Sequence, residues 1–152
     1  MAGPPDIAEL ACQGVAVIVA TRDHDLVPAV TRGWGPRLSE DGGRLALCVD
    51  APEGSATLEN LRAGSPMAVT MSRPTSYATV QLKGAVAVLG PPDAEALRAA
   101  REHVEAFIAE TTAIGVPEAI IRILAEGELL AVAVEVAERY DQTPGPGAGR
   151  PL

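Results

Sequence analysis

The chain has 152 residues and a mass of 15.6 kDa, which is the size of one ordinary domain. Hydrophobic residues make up 47% of it, which excludes a disordered chain, and because only 3% are aromatic we expect a core of Ala, Val, Leu and Ile. The net charge of −8 disfavours nucleic acid and anionic membrane surfaces as partners.

The first part of the chain predicts a short helix followed by strands. β-Branched residues dominate 15–21, which is typical of a buried strand. A polar turn over 22–25 leads to a second short strand, so the two are expected to form a hairpin. Gly33, Gly35 and Pro36 are expected to interrupt regular structure after it. In chain order, this part predicts a helix over 5–13 and strands over 15–21, 27–32 and 44–50.

After residue 50, apolar residues recur at the spacing of a helix. Leu58 and Leu61 suit one face of a short helix, whose first turn Ser55 or Thr57 can cap. Rich in Pro and Gly, the segment from 142 to 152 is expected to be irregular or disordered. In chain order, this part predicts a helix over 55–63, strands over 67–71 and 77–89, helices over 93–112 and 117–125, and a closing strand over 129–136.

This order of elements predicts the fold class. Regular helices do not separate the strands, so a doubly wound parallel sheet is not expected. A mainly β, α+β fold fits better, with an antiparallel barrel or sheet and peripheral helices. We expect one domain over 1–140 and a tail over 141–152. No signal peptide or membrane span is expected, and two distant cysteines suit a reducing cytoplasm.

Familiar catalytic motifs are missing from the sequence. It has no Walker loop, no G-x-G-x-x-G after a strand and no G-x-S-x-G elbow. His24 falls in a polar turn and His103 on a charged helix, and we expect both to be solvated rather than metal ligands or general bases. The sequence therefore predicts no metal site and identifies no catalytic side chain.

One strand carries a row of polar residues. Tyr77, Thr79, Gln81 and Lys83 fall on one face by the period of two, with apolar residues between them. Such a row faces either water or a polar ligand, and the solvent-facing side of an antiparallel sheet is the commoner case.

Two further segments have both a ligand-binding and a structural interpretation. The helix start with Ser55 and Thr57 can hold a phosphate or can simply be capped. Arg32 can form two hydrogen bonds with a phosphate. Trp34, the one tryptophan, can stack on a ring or fill the core.

Together these segments resemble the pyridoxamine 5′-phosphate oxidase-like, FMN-binding split-barrel family. The matching stretches are 14–21, 27–30, 44–47, 57–61, 65–69 and 77–84. The resemblance covers roughly residues 8 to 90 and implies an antiparallel split β-barrel with peripheral helices.

The resemblance also implies a homodimer with two flavin sites at the subunit interface. It places FMN-binding residues on the second strand, before the short helix and on the long strand. The positions of this sequence that correspond are Arg32, Trp34, Ser55, Thr57, Asn60, Tyr77, Gln81 and Lys83.

Two departures from the true oxidase change what the resemblance implies about activity. The oxidase has an Arg-Lys pair before its short helix, where this chain has neutral residues, so Arg32 and Lys83 are left to neutralise the phosphate. The tail over 142–147 also lacks the basic, histidine-containing substrate motif. Oxidation of pyridoxamine phosphate is therefore not expected.

The sequence leaves three functions open. The first is an FMN-dependent oxidoreductase acting on a small molecule, in which the flavin carries the chemistry. The second is a binding module for a deazaflavin (F420) or haem, with His24 or His103 as the available axial ligand. The third is a dimeric protein without a cofactor.

Overall fold

Six antiparallel strands close into a barrel, with helices at its ends and on one side. The computed structural model describes residues 3–152, without the side chains of residues 88 and 89. Its elements are α1 (Ile7–Ala11), β1 (Ala16–Arg22), β2 (Pro28–Leu38), β3 (Arg44–Asp50), α2 (Ala56–Arg62), β4 (Met67–Ser72), β5 (Thr79–Gly90), α3 (Ala94–Ala113), α4 (Glu118–Leu124), β6 (Leu129–Asp141) and β7 (Arg150–Pro151). The predicted fold class is confirmed. No helix within residues 3–152 has the length and apolar character needed to cross a membrane.

The barrel has the strand order β3-β2-β1-β4-β5-β6 and closes through a pairing of β6 with β3. In that closing pair Arg44 lies opposite Glu135, and Asp50 lies opposite Leu129. The long strand β6 also pairs with β5 along most of its length. Closure leaves these six strands without a free edge over the paired stretch, which protects them from pairing with other chains.

The barrel interior contains one face of every strand. Alternation sends Val17 and Val19 of β1 inward, together with Val69 of β4 and Leu82 of β5, and all are fully buried. The ends of this core are closed by residues of α1 and α2, such as Leu10 and Leu58. The core contains Val, Leu and Ala, as expected, and also two fully buried methionines, Met67 and Met71.

A second apolar cluster lies outside the barrel, beneath α3. Trp34 of β2 and Cys48 of β3 point outward there and pack with Ala100 and Phe107 of α3. The helix comes close to the strands because a Cβ on Gly35 would lie only 2.7 Å from the Ala100 nitrogen. This cluster gives the barrel one covered side.

Strand β2 continues beyond the predicted break at residues 33–36. The pairing with β3 shifts register between Trp34 and Arg37, which indicates a β-bulge. Gly35 has a φ of 63° within the bulge, a value that glycine adopts without strain. Glycine and proline therefore bend this strand instead of ending it.

The segment after β6 is more ordered than predicted. Strand β7 pairs with Tyr140 and Asp141, so the chain folds back on β6. The carboxylate of Asp141 accepts from the Thr143 backbone N–H at 2.9 Å, and this bond lowers the pKa of Asp141. Residues 142–149 contain no helix or strand, as one of the two expectations for this segment had it, and these hydrogen bonds fasten the segment to the barrel.

Candidate functional site

Part of the outer surface of the barrel lies outside both apolar clusters. Alternation and register place one row of outward side chains across β2, β1, β4, β5 and β6, and a second row next to it. We name these two rows the open face. Its residues are Arg32, Ile18, Thr70, Gln81 and Tyr140 in the first row and Val30, Ala20, Ala68, Lys83 and Glu138 in the second.

The predicted polar row on the long strand contributes to the open face. Gln81 and Lys83 share it, and the Gln81 side-chain amide donates to Thr70 Oγ1 at 3.0 Å. The Lys83 ammonium lies 5.1 Å from the centroid of the Tyr140 ring, a cation–π distance. Tyr140 was not predicted, because the closing strand was expected to end at Val136. The open face is thus polar at β5 and β6.

Two other members of the predicted row, Thr79 and Tyr77, are outside the two rows that define the open face. Thr79 is buried and its hydroxyl bonds that of Ser72 at 2.7 Å. Tyr77 precedes β5 in a turn, where it is exposed and has a φ of 61°. Thr79 therefore ties the start of β5 to β4, and Tyr77 lies outside the strand.

A cleft lined by two basic side chains lies along the second row of the open face. Arg22 and Lys83 line a cleft of about 470 Å³ whose floor includes the small residues Ala20 and Ala68. Neither cation forms an ion pair with a carboxylate within residues 3–152. Glu138 also lines this cleft and lies opposite Lys83 in the sheet.

Sequence reasoning missed Arg22 because it placed that residue in a turn. Strand β1 runs to Arg22, so alternation from Ile18 and Ala20 sends its side chain to the same outward face. Continuing the period of two by one residue would have found it. Arg22 is therefore the nearest candidate partner for Lys83 in holding an anion.

Arg32 lies at the other side of the open face. Its row runs from Arg32 through Ile18 and Thr70 to Gln81, which spans three strand spacings or about 14 Å of sheet. Arg32 has no ion pair within the described chain. It flanks the same surface as Lys83 but does not line the cleft.

Two of the three candidates near α2, Ser55 and Asn60, use their polar side chains within the fold, and the third, Thr57, is buried. The Ser55 hydroxyl accepts from the Leu58 N–H at 3.3 Å, as an N-cap does. Thr57 is buried, and the buried Asn60 amide donates to Thr21 Oγ1 at 3.1 Å. The capping interpretation of Ser55 accounts for its contacts.

Charge near the start of α2 also opposes a phosphate there. Glu53 forms an ion pair with Arg62 at 2.7 Å, and the Arg62 hydrogen bond lowers the pKa of this carboxyl. Glu53 is therefore a carboxylate at neutral pH, and Arg62 is already occupied. Of the predicted site residues, Arg32, Gln81 and Lys83 are the ones that share a surface, the open face.

Trp34 is a core residue. Its side chain is 3% exposed and lies beneath α3, with the Phe107 ring edge-on at a centroid distance of 6.1 Å. Arg32 and Trp34 share the outward side of β2, but α3 covers only the second of them. Of the two interpretations of Trp34, the structure agrees with the one that fills the core.

The expectation of a solvated His103 is wrong. The ring is 7% exposed, its Nδ1 accepts from the Gly35 N–H at 3.1 Å, and its Nε2 bonds the Val15 carbonyl at 2.9 Å. Because Nδ1 accepts, Nε2 carries the proton and donates it. Burial lowers the pKa of His103 to about 4, so the ring is neutral at pH 7.

A signal for this burial was present in the sequence. His103 falls on the same helical stripe as Ala96, Ala100 and Phe107, whereas Glu102 and Glu105 point elsewhere. His24, in contrast, is exposed beside Asp25. Within residues 3–152, no group of three His, Cys, Asp or Glu side chains is placed to hold a metal ion.

Solved structures of low sequence identity share this fold. An F420 reductase superposes with a TM-score of 0.55 at 12% identity, over 90% of this chain and 98% of its own. HupZ from Group A Streptococcus superposes with a TM-score of 0.53 at 16% identity, over 94% of this chain and 96% of its own.

A third structure is a pyridoxamine 5′-phosphate oxidase-related, FMN-binding protein from Nostoc punctiforme, with a TM-score of 0.46 at 13% identity over 88% of this chain and 77% of its own. No protein-family model matches the sequence, and no curated protein matches it at a significant level. The barrel topology is the split-barrel fold that the resemblance implied, and the F420 reductase and HupZ share this fold with the chain.

Proposed function

We propose that this chain is a homodimeric split barrel that binds FMN on its open face and uses it in an oxidoreductase reaction on a small molecule. One observation carries the proposal. Arg22 and Lys83, two cations without carboxylate partners in the described chain, line one cleft on a protein of net charge −8. Unpaired cations that share a cleft are suited to an anionic ligand.

Each part of the open face suits one part of a flavin nucleotide. Arg22 and Lys83 would hold the phosphate through charge-assisted hydrogen bonds. The alanine floor leaves room for a flat ring to approach the sheet. Thr70 and Gln81 would offer hydrogen bonds to polar edges, although they now bond one another. Arg32 flanks the surface as a further cation.

The chemistry in this proposal belongs to the flavin, which supplies hydride or electron transfer when it is bound. The protein then has to bind the cofactor, orient it and keep water from the reacting side. No acid–base pair is required of the side chains. The proposal is therefore consistent with a sequence in which no catalytic constellation was found.

A deazaflavin is the second candidate cofactor. The F420 reductase that shares the fold supports it, and the same two cations would serve a phosphate of either cofactor. Haem has less support, because both ring nitrogens of His103 already bond the backbone and His24 lies on an exposed turn.

Exposed apolar residues at the edge of the open face support the proposed dimer. Val30 is 66% exposed, and Leu26 and Val27 of the preceding turn are exposed as well. Apolar side chains grouped in this way are usual at protein interfaces. A second copy that covers them would place the cofactor sites at the dimer interface.

Replacing Lys83 with glutamine tests the cofactor assignment. We expect Lys83→Gln to raise the dissociation constant for FMN about tenfold, because one charge-assisted bond to the phosphate is lost. Affinity for riboflavin, which lacks the phosphate, should stay unchanged. Both are measured by titration and by the visible absorption spectrum of protein recovered from gel filtration.

Arg98→Gln is the matched control, since it removes one positive charge from the exposed surface of α3. It should leave FMN binding as in the wild type. Equal losses in both variants would indicate a general charge effect and contradict the phosphate site. A wild-type protein that retains neither FMN nor F420 would refute the proposed function.

Replacing Val30 with glutamate tests the dimer. We expect Val30→Glu to convert the dimer to monomers, because a carboxylate would be buried at the interface without a partner. Light scattering during gel filtration measures the mass. Ile123→Glu is the control, since Ile123 is 67% exposed on α4, away from the open face. A dimer that persists in Val30→Glu would overturn the placement of the interface.

A further inference from the structure

Lys83 and Glu138 lie opposite each other on β5 and β6 but do not form an ion pair. They are register partners on the outer side of the barrel, and both line the cleft of the open face. Opposite charges directly across an antiparallel strand pair attract each other. Within residues 3–152, however, neither residue takes part in an ion pair. Another contact therefore keeps the two charged groups apart.

Tyr140 contacts both of these groups. It lies two residues after Glu138 on the same face of β6, and its hydroxyl donates a hydrogen bond to the Glu138 carboxylate. The Lys83 ammonium lies over the Tyr140 ring, 5.1 Å from the ring centroid. One tyrosine thus holds the carboxylate through its hydroxyl and the ammonium through the face of its ring.

The hydrogen bond from Tyr140 decides which partner Glu138 takes. The bond to this carboxylate raises the pKa of Tyr140, so the phenol stays protonated and remains a donor at neutral pH. Glu138 is exposed and Lys83 is half-buried, and in such surroundings an ion pair and a cation–π contact are of similar small strength. Loss of the phenol hydroxyl is therefore enough to release Glu138 toward Lys83.

The charges of the cleft favour an anion whichever partner Glu138 takes. Its charged residues are Arg22, Lys83 and Glu138, two positive and one negative, which leaves a net charge of +1. An ion pair between Lys83 and Glu138 would not change this net charge, but it would occupy N–H donors that an anion needs. Freedom of Lys83 from Glu138 therefore sets how tightly the cleft holds an anion.

We propose that Tyr140 is a positioning residue of the open face, whose hydroxyl holds Glu138 away from Lys83 and so keeps the ammonium available to the anionic ligand. Tyr140 does not itself line the cleft, so it acts through Lys83. The identity of that ligand as FMN rests on the function proposed above, whereas the contacts of Tyr140 with Lys83 and Glu138 do not.

The position of Lys83 is measured without any ligand. It is the one lysine of the chain, so protein enriched in ¹³C at the lysine ε carbon gives one side-chain methylene signal. In the wild type we expect these protons upfield of those of a free lysine, because the ammonium lies over the Tyr140 ring. Tyr140→Phe retains the ring without the hydroxyl, and it should move the signal toward the free value as Lys83 turns to Glu138. Adding Glu138→Gln should restore the upfield position.

FMN binding is the second measurement. Tyr140→Phe should weaken FMN binding about threefold, which corresponds to the strength of an exposed ion pair, and should leave the affinity for riboflavin unchanged. Glu138→Gln alone should bind FMN at least as tightly as the wild type, because it removes a carboxylate from the cleft. Combined with Glu138→Gln, Tyr140→Phe should have no further effect, since no carboxylate is left to bond Lys83.

Two results would overturn the proposal. The Lys83 signal is the same in Tyr140→Phe and the wild type, or Tyr140→Phe weakens FMN binding equally with and without Glu138→Gln, as a merely structural role of Tyr140 requires. A wild-type protein that binds no FMN but shows the expected changes of the Lys83 signal would support the role of Tyr140 and contradict only the function proposed for the open face.

Discussion

Replacing Gly84 with alanine is expected to destabilise the protein by about 3 kcal/mol or more, enough to lose much of the stability of a domain. A Cβ at this position would lie 1.7 Å from the carbonyl oxygen of Glu135 and 2.7 Å from its carbonyl carbon. Both are backbone atoms of β6, so no side-chain rotation relieves the clash. The two strands would have to separate where their register shifts, between Lys83 and Gly84.

Urea denaturation measures this effect, and Gly90→Ala is the matched control. Gly90 is in the same strand, and a Cβ there would meet no atom within 4 Å. We expect Gly90→Ala to change the unfolding free energy by less than about 1 kcal/mol. Near-equal stability of Gly84→Ala and the wild type would show that the β5–β6 contact is looser than described.

The consequence of Gly84→Ala extends to the proposed cofactor site. Lys83 precedes Gly84 and lies opposite Glu138 in the same ladder. Strand separation at Gly84 would therefore displace the Lys83 ammonium from its place beside Ala68. A partly folded Gly84→Ala protein should lose FMN affinity together with stability, whereas Lys83→Gln should lose affinity alone.

Acidification from pH 6.5 to about pH 4 is expected to destabilise the protein through His103. The pKa of this buried ring is lowered to about 4, while an unfolded histidine has a pKa of about 6.5. Between these values the unfolded chain binds the proton and the folded chain does not, so stability falls as pH falls. The loss amounts to about 3 kcal/mol once pH 4 is reached. Above pH 6.5 this contribution is fully present.

The comparison with His103→Gln isolates this contribution from that of the carboxylates. A glutamine cannot take up a proton in this range, so the variant should lose stability less steeply between pH 6.5 and 4. At pH 7 it should be less stable by about 1–3 kcal/mol, because one glutamine does not satisfy both Gly35 N–H and the Val15 carbonyl.

His24→Gln is the control for the remaining histidine. His24 is exposed beside Asp25, so its replacement should leave both stability and its pH dependence as in the wild type. Parallel stability profiles of His103→Gln and the wild type between pH 6.5 and 4 would contradict the assignment of this pH dependence to the buried ring.

Local features of the sequence determined most of the secondary structure. Strand β3 begins and ends where its apolar run predicted, at Arg44 and Asp50. Ser55 caps α2, as its residue type and position predicted. Alternation placed Gln81 and Lys83 on one face of β5. These properties depend on residues a few positions apart, which a single sequence displays.

Tertiary structure alone decided which of those faces are covered. The same outward side of β2 presents Arg32 to the open face and Trp34 to α3, and no local pattern separates the two. His103 lies among charged neighbours in sequence, yet it is buried because Gly35 and Val15 meet it from distant strands. Arg22 and Lys83 line the same cleft only because β1 pairs with β4 and β4 pairs with β5. The sequence by itself thus determined where most strands and helices lie and, within the predicted strands, the side to which Gln81 and Lys83 point. Only the packing of α3 against one side of the barrel decided which of those residues stay open to a ligand, because that contact joins segments more than 60 residues apart.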